Sequence, residues 1–98
     1  MIDDRDIEDI ATAVAKANLG GEKVVSVTSE PAIDSEGEGA IKILIELKPG
    51  SVDSISGDDV TKTFAQIWDR MQRAGDDRFP MVQYATTDEL EYLRGVDD

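Results

Sequence analysis

Residues 34–50, "DSEGEGAIKILIELKPG", decide how this 98-residue chain folds. The second half alternates: Ile41, Ile43, Ile45 and Leu47 point one way, and Lys42, Leu44, Glu46 and Lys48 the other. A side-chain period of two is β-strand geometry, with one face against a core and one face mostly wet. Leu44 interrupts the polar side and predicts that the outer face is partly covered. The first half sets three carboxylates, Asp34, Glu36 and Glu38, and two glycines ahead of that strand. An EF-hand loop places acidic ligands at positions 1, 3 and 5, glycine at 6 and a bidentate glutamate at 12. Counting from Asp34, the residues Glu36, Glu38 and Gly39 satisfy the first half, but position 12 is Ile45 and Glu46 arrives one residue late. Completing the loop would dismantle the best strand in the chain. The stretch therefore reads as a hairpin turn, with Gly37 and Gly39 supplying positive φ.

Working outward, "EKVVSVTSEPAID" (22–34) is the partner strand of the hairpin, with approximate alternation at Val25, Val27 and Ser29. Pro31 donates no ladder hydrogen bond, so that end is an edge, a bulge or loop. Upstream, residues 3–19 predict a helix with an apolar stripe of Ile7, Ile10, Val14 and Ala17. Asp3, Asp4, Asp6, Glu8 and Asp9 crowd its first turns, where the helix dipole favours negative charge. Asn18-Leu19-Gly20-Gly21 ends it with a left-handed residue.

Downstream, Pro49-Gly50 is a turn pair. Residues 56–75, "SGDDVTKTFAQIWDRMQRAG", carry the strongest helical pattern. Ser56 and Asp59 form a capping box, and Val60, Phe64, Ile67, Met71 and Ala74 trace the stripe with Trp68 on its shoulder. Lys62, Arg70 and Arg73 on the exposed side are placed to pair locally with neighbouring aspartates. A short strand over Met81–Ala85 follows. A last helical segment begins at Thr86, with Glu89 as its capping partner and Leu90 and Leu93 as its apolar pair. Val96-Asp97-Asp98 reads as a free, mobile acidic tail.

The order is α-β-β-α-β-α in one domain over residues 1–98. It implies an α+β two-layer sandwich, a three-stranded sheet covered by two main helices. The third strand either sits beside the second through a right-handed crossover or pairs antiparallel with the first. Either way two edges stay open, and one of them offers a pairing surface to a partner or to a second copy.

Composition narrows the chemistry. Twenty-two acidic residues against ten basic give a net charge of −12, which repels phosphate backbones and anionic lipid and favours basic partners. The same charge also serves solubility or adaptation to high salt, since aspartate outnumbers glutamate and lysine is scarce. The chain has no histidine and no cysteine, which removes imidazole- and thiol-based nucleophilic sites, the usual zinc sites and disulfides. No phosphate-cradling glycine loop occurs. No secretory leader and no apolar run of roughly 20 residues is evident, so a cytoplasmic protein is expected. Chance carboxylate pairs carry no signal in so acidic a chain, and neither catalysis nor a cofactor is expected.

The expected role is a small interaction module, a regulatory or accessory subunit docking onto a basic protein in the manner of an antitoxin or inhibitor. Its expected contacts are Asp34, Glu36 and Glu38 at the hairpin tip and Asp76, Asp77 and Arg78 in the loop before the third strand. Two other roles use the same features: a metal- or small-ligand-binding domain built on the acidic loops, and a self-associating domain that closes its sheet edges by dimerising.

Overall fold

A computed structural model describes residues 1–96. Helix α1 (Asp4–Leu19) leads into strands β1 (Val24–Ile33) and β2 (Gly39–Leu47). A 3₁₀ turn (Ser51–Ser54), helix α2 (Gly57–Arg73), strand β3 (Phe79–Thr86) and helix α3 (Thr87–Val96) follow. The sheet order is β1-β2-β3, with β1 antiparallel and β3 parallel to the central β2. The third strand thus takes the place beside β2, and α2 is the crossover that a parallel neighbour requires. This is the two-layer α+β arrangement expected. No helix among the described residues is long and apolar enough to cross a membrane. Val96 closes α3 and does not start a tail, while Asp97 and Asp98 lie outside the described residues.

Strand β2 carries the core. Ile41, Ile43 and Ile45 are fully enclosed and Leu47 nearly so, packed against α1 and α2. Burying each such side chain is worth about 1.5–3 kcal/mol. The four together match the whole net stability of a typical domain, about 5–15 kcal/mol. A one-residue slip would turn all four into water.

Three stripes differ from the sequence pattern. In α1 the buried residues are Ile7, Ala11, Val14, Ala15 and Leu19, with Ile10 half-buried and Ala17 exposed. The small residues Ala11 and Ala15 face inward because α1 packs against both α2 and β1, and close approach needs short side chains. In α2 the buried residues are Thr63, Ile67 and Met71, while Val60 and Ala74 are exposed. Thr63 satisfies burial by donating its hydroxyl to the Asp59 carbonyl at 2.8 Å and accepting from Asn18 Nδ2 at 3.3 Å. In β1 a bulge between Val24 and Ser26 turns Val24 into the core (7% exposed) and Val25 out of it (47%). Strand β3 is longer than Met81–Ala85 at both ends. Gly37 (φ 82°) supplies the left-handed turn residue of the hairpin, whereas Gly39 already pairs in the ladder opposite Ile33.

The caps at Ser56 and Thr86 match the sequence, and Ser56 and Asp59 form the reciprocal box. At α1 Asp3 lies outside the helix as its N-cap, with Oδ1 accepting the Asp6 amide at 2.9 Å. At α3 the Glu89 carboxylate accepts from both the amide and the hydroxyl of Thr86 at 2.9 Å.

The free edge of β1 is blocked at its middle from within the fold. Glu8, on α1, accepts the backbone amide and the hydroxyl of Ser29 through one oxygen, both at 2.9 Å. Since Ser29 N–H points away from β2, the same edge includes Pro31, which has no amide to offer. Glu8→Ala should therefore lower stability by about 1–2 kcal/mol, because an edge amide and a hydroxyl lose a charged acceptor. Glu8→Gln, which keeps an acceptor oxygen, should lose less than half of that. Urea denaturation midpoints for the two variants check the order.

Candidate functional site

The end of the molecule where β2 and β3 begin gathers most of the residues singled out in the sequence. The hairpin turn is organised by Asp34, whose Oδ1 accepts the amides of Glu36 at 2.9 Å and Glu38 at 2.8 Å. Backbone bonds from Gly37 N to the Asp34 carbonyl and from Asp34 N to the Glu38 carbonyl close it. This carboxylate is therefore a turn-former first. Among the described residues no group of three carboxylates is placed to hold a metal ion.

The loop after α2 behaves differently from the exposed segment expected. Asp76 is 1% exposed and Arg78 8%, and they form a buried ion pair. Arg78 Nη2 lies 2.7 Å from Asp76 Oδ2, and its Nε lies 3.0 Å from Oδ1. The Arg78 amide also donates to Asp76 Oδ1, at 3.1 Å. Both partners reach the chain start: Ile2 N donates to Asp76 Oδ2 and Arg78 Nη2 donates to the Ile2 carbonyl, while Met1 N donates to Gly75 O. The methylene stem of Arg78 runs beside Gly39, where an added Cβ would lie 3.7 Å from Cγ. Three segments distant in sequence are tied at this pair.

The Arg78 guanidinium, hydrogen-bonded to Asp76, is the main reason that carboxyl falls to about 2 from its ordinary 3.8, against the opposing effect of burial. The Arg78 pKa rises for the reciprocal reason, with Asp4 adding a smaller Coulombic contribution. Asp4, at the start of α1, is thereby placed within electrostatic reach of this loop.

Above the pair lies a shallow depression of about 420 Å³, lined by Met1, Asp34, Glu38, Gly39, Asp77, Arg78 and Phe79. The structure thus brings Asp34 and Glu38 from the turn together with Asp77 from the loop. Glu36 is exposed on the same turn outside the lining, and Asp76 lies buried beneath it. Asp3, Asp4 and Asp6 add exposed carboxylates on the adjoining first turn of α1, alongside the exposed cation Arg5. The cation lining the depression, Arg78, is already paired.

Phe79 is the residue that sequence reading missed. It is 41% exposed at the rim, yet its ring is held from behind by two aromatics of α2. Its centroid lies 5.7 Å from Phe64 and 5.2 Å from Trp68, the latter edge-to-face, and Phe64 and Trp68 meet at 5.4 Å. Such pairs contribute about 0.5–1.5 kcal/mol each beyond burial, so the exposed ring is fixed in place. A signal was present in the sequence: an aromatic directly before Pro80, at i+1 from an Asp-Asp-Arg loop. It was hidden by starting the strand at Met81.

No protein-family model, curated protein or solved structure matches this chain.

Asp76→Asn should cost about 3 kcal/mol at pH 7, because it leaves a buried guanidinium without its counter-charge. The sign with pH follows from a folded pKa below the unfolded one. The pair's contribution is complete above about pH 4 and is lost as pH falls from about 4 to about 2. Across that window the gap between wild type and Asp76→Asn should narrow by about 2 kcal/mol. Urea midpoints of both proteins at pH 7, 4 and 2 measure it, and the difference cancels the common effect of protonating the other carboxylates.

Proposed function

We propose that this protein is a small acidic interaction module, a regulatory or accessory subunit that docks onto a basic protein partner through the end bearing the hairpin turn and the loop before β3. The observation that carries the reading is the depression itself. Three carboxylates from two separate loops, Asp34, Glu38 and Asp77, line it together with the half-exposed Phe79, whose ring packs on Phe64 and Trp68. A lysine or arginine entering there meets carboxylates and an aromatic ring, a combination that favours cations over neutral or anionic groups. The excess of acids over bases extends the attraction, drawing a basic partner in from a distance and repelling nucleic-acid backbones and anionic membranes. The reading is one of binding without catalysis. A chain free of cysteine suits a reducing, cytoplasmic setting.

A decalysine peptide is a sufficient probe, with Trp68, the single tryptophan, as the fluorescent reporter through its contact with Phe79. The triple variant Asp34→Asn, Glu38→Gln, Asp77→Asn should bind about tenfold more weakly. Three charges at about 0.5 kcal/mol each amount to about 1.5 kcal/mol, close to the roughly 1.4 kcal/mol of a tenfold change. A control triple variant at exposed acids elsewhere, Glu22→Gln, Asp53→Asn, Asp58→Asn, changes net charge equally and should lose less than threefold. The association rate of wild type should fall steeply between 50 and 500 mM salt. Equal losses in the two triple variants would reduce the attraction to overall charge and sink the assignment to this end.

A further inference from the structure

The depression opens onto the start of β3, and the outer edge of β3 has features that the edge of β1 lacks. The register determines which backbone groups point outward. Ser29 N–H leaves the sheet, so even-numbered residues of β1 bond to β2, and Lys48 N bonds to Lys23 O on that same side. Even residues of β2 therefore face β1 and odd ones face β3. With Lys42 opposite Met81 and Leu44 opposite Gln83, the odd residues of β3 bond inward and the even ones point out. Two independent details agree: Pro80, without an amide, falls on the outer side, and Thr86 N–H is taken by Glu89. Between them the amides of Val82 and Tyr84 and the carbonyls of Pro80, Val82 and Tyr84 form a short open ladder. Among the described residues no carboxylate reaches these amides in the way that Glu8 reaches Ser29.

We infer that the outer edge of β3, from Pro80 to Tyr84, receives an extended cationic segment of a partner protein as a fourth strand of the sheet. The inference rests on the reading of the adjoining depression as a basic-partner surface and specifies how the partner is held. Charge selects the occupant. The edge runs from Asp77, Asp34 and Glu38 at one end to Asp88, Glu89 and Glu91 of α3 at the other. On α2, Phe64 and Trp68 mark the β3-facing flank, whereas Asn18 bonds to Gln66 on the flank toward α1. At 100° per residue Lys62, Arg70 and Arg73 fall toward α1 and solvent, so no cation of α2 lines the edge. A second copy pairing antiparallel here would set the Asp77 end of one sheet against the Asp88 end of the other, acid on acid, between bodies of net charge −12. An extended segment with alternating lysines puts its main-chain groups on the open ladder and its cations toward the acidic ends.

The test uses the full chain and a capped octapeptide of alternating lysine and valine, compared with the same octapeptide N-methylated at every backbone amide. Binding is read by Trp68 fluorescence, and strand addition by amide hydrogen exchange. The unmodified peptide should bind at least tenfold more tightly, slow exchange at Val82 and Tyr84 at least fivefold, and lose about tenfold affinity to the Asp34→Asn, Glu38→Gln, Asp77→Asn variant. If both peptides bind equally and both weaken in that variant, strand addition is overturned while the anionic docking surface stands. If neither binds, both fail. Protection at Val27, on the β1 edge, would overturn the choice of edge. Protection of Val82 and Tyr84 that rises with protein concentration and no peptide would assign the edge to a second copy and overturn the proposal. Strand addition indifferent to the triple variant would overturn its cationic specification.

Discussion

Everything in this fold hangs on β2 having neighbours on every side but one. Among the described residues it is the single strand paired at both edges, and one of its faces lies under α1 and α2. Three consecutive inward isoleucines leave no alternative register, because a shift by one residue would trade them for Lys42, Leu44 and Glu46. The hairpin turn and the α2 crossover then have fixed end points. Apart from Leu44, the outer face of β2 is polar by the same alternation, and Glu46 there accepts from Ser26 and Thr87, tying β1 and the start of α3 to the strand's far end.

The second constraint is the buried Asp76–Arg78 pair. A buried ion pair is weak evidence for stability, since desolvation offsets most of the Coulombic gain, but an unpaired member is severely destabilising. Its value here lies in position. The pair sits where α2 hands over to β3, holds the residues before α1, and lays the arginine stem along the start of β2. It orients the loop so that Asp77 points out between two residues that point in. The exposed carboxylate and the exposed ring of Phe79 owe their placement to a pair that no partner needs to touch.

The elements were legible in the sequence because they rest on local signals: the period of two in β2, the boxes at Ser56 and Thr86, the acid-rich start of α1. What escaped depends on which neighbours arrive. Nothing local says that Ala11 and Ala15 face inward and Ile10 does so only in part, because that follows from α1 meeting α2 and β1 together. Nothing local distinguishes Asp76 from Asp77, as the two differ only in which side of the chain faces Ile2. The bulge at Val25 is equally silent, since "VVSV" puts Val25 and Val27 in one frame and nothing local marks Val24 as the residue that turns inward. At the candidate site the turn acids were legible as exposed charge. Their meeting with Asp77 and Phe79 required the parallel placement of β3 beside β2, which sequence reading left as one of two possibilities.

That placement also gives the negative charge a structural meaning beyond solubility. A small sheet with an open edge is prone to pair with its own kind, and natural proteins block such edges with charge, proline or cover. Here the β1 edge is blocked locally, by Glu8 and Pro31, and the β3 edge only partly, by Pro80 at one end and Glu89 at the other. On the function proposed above, the field of the whole body guards the remaining gap. At physiological salt charges are screened beyond about 8 Å, so repulsion between two copies acts at the contact distances where edge pairing would occur. The same field has the opposite sign of effect on a cationic chain. An anionic body can therefore leave an edge open to one class of partner while closing it to itself, a discrimination that a proline or a covering helix could not make.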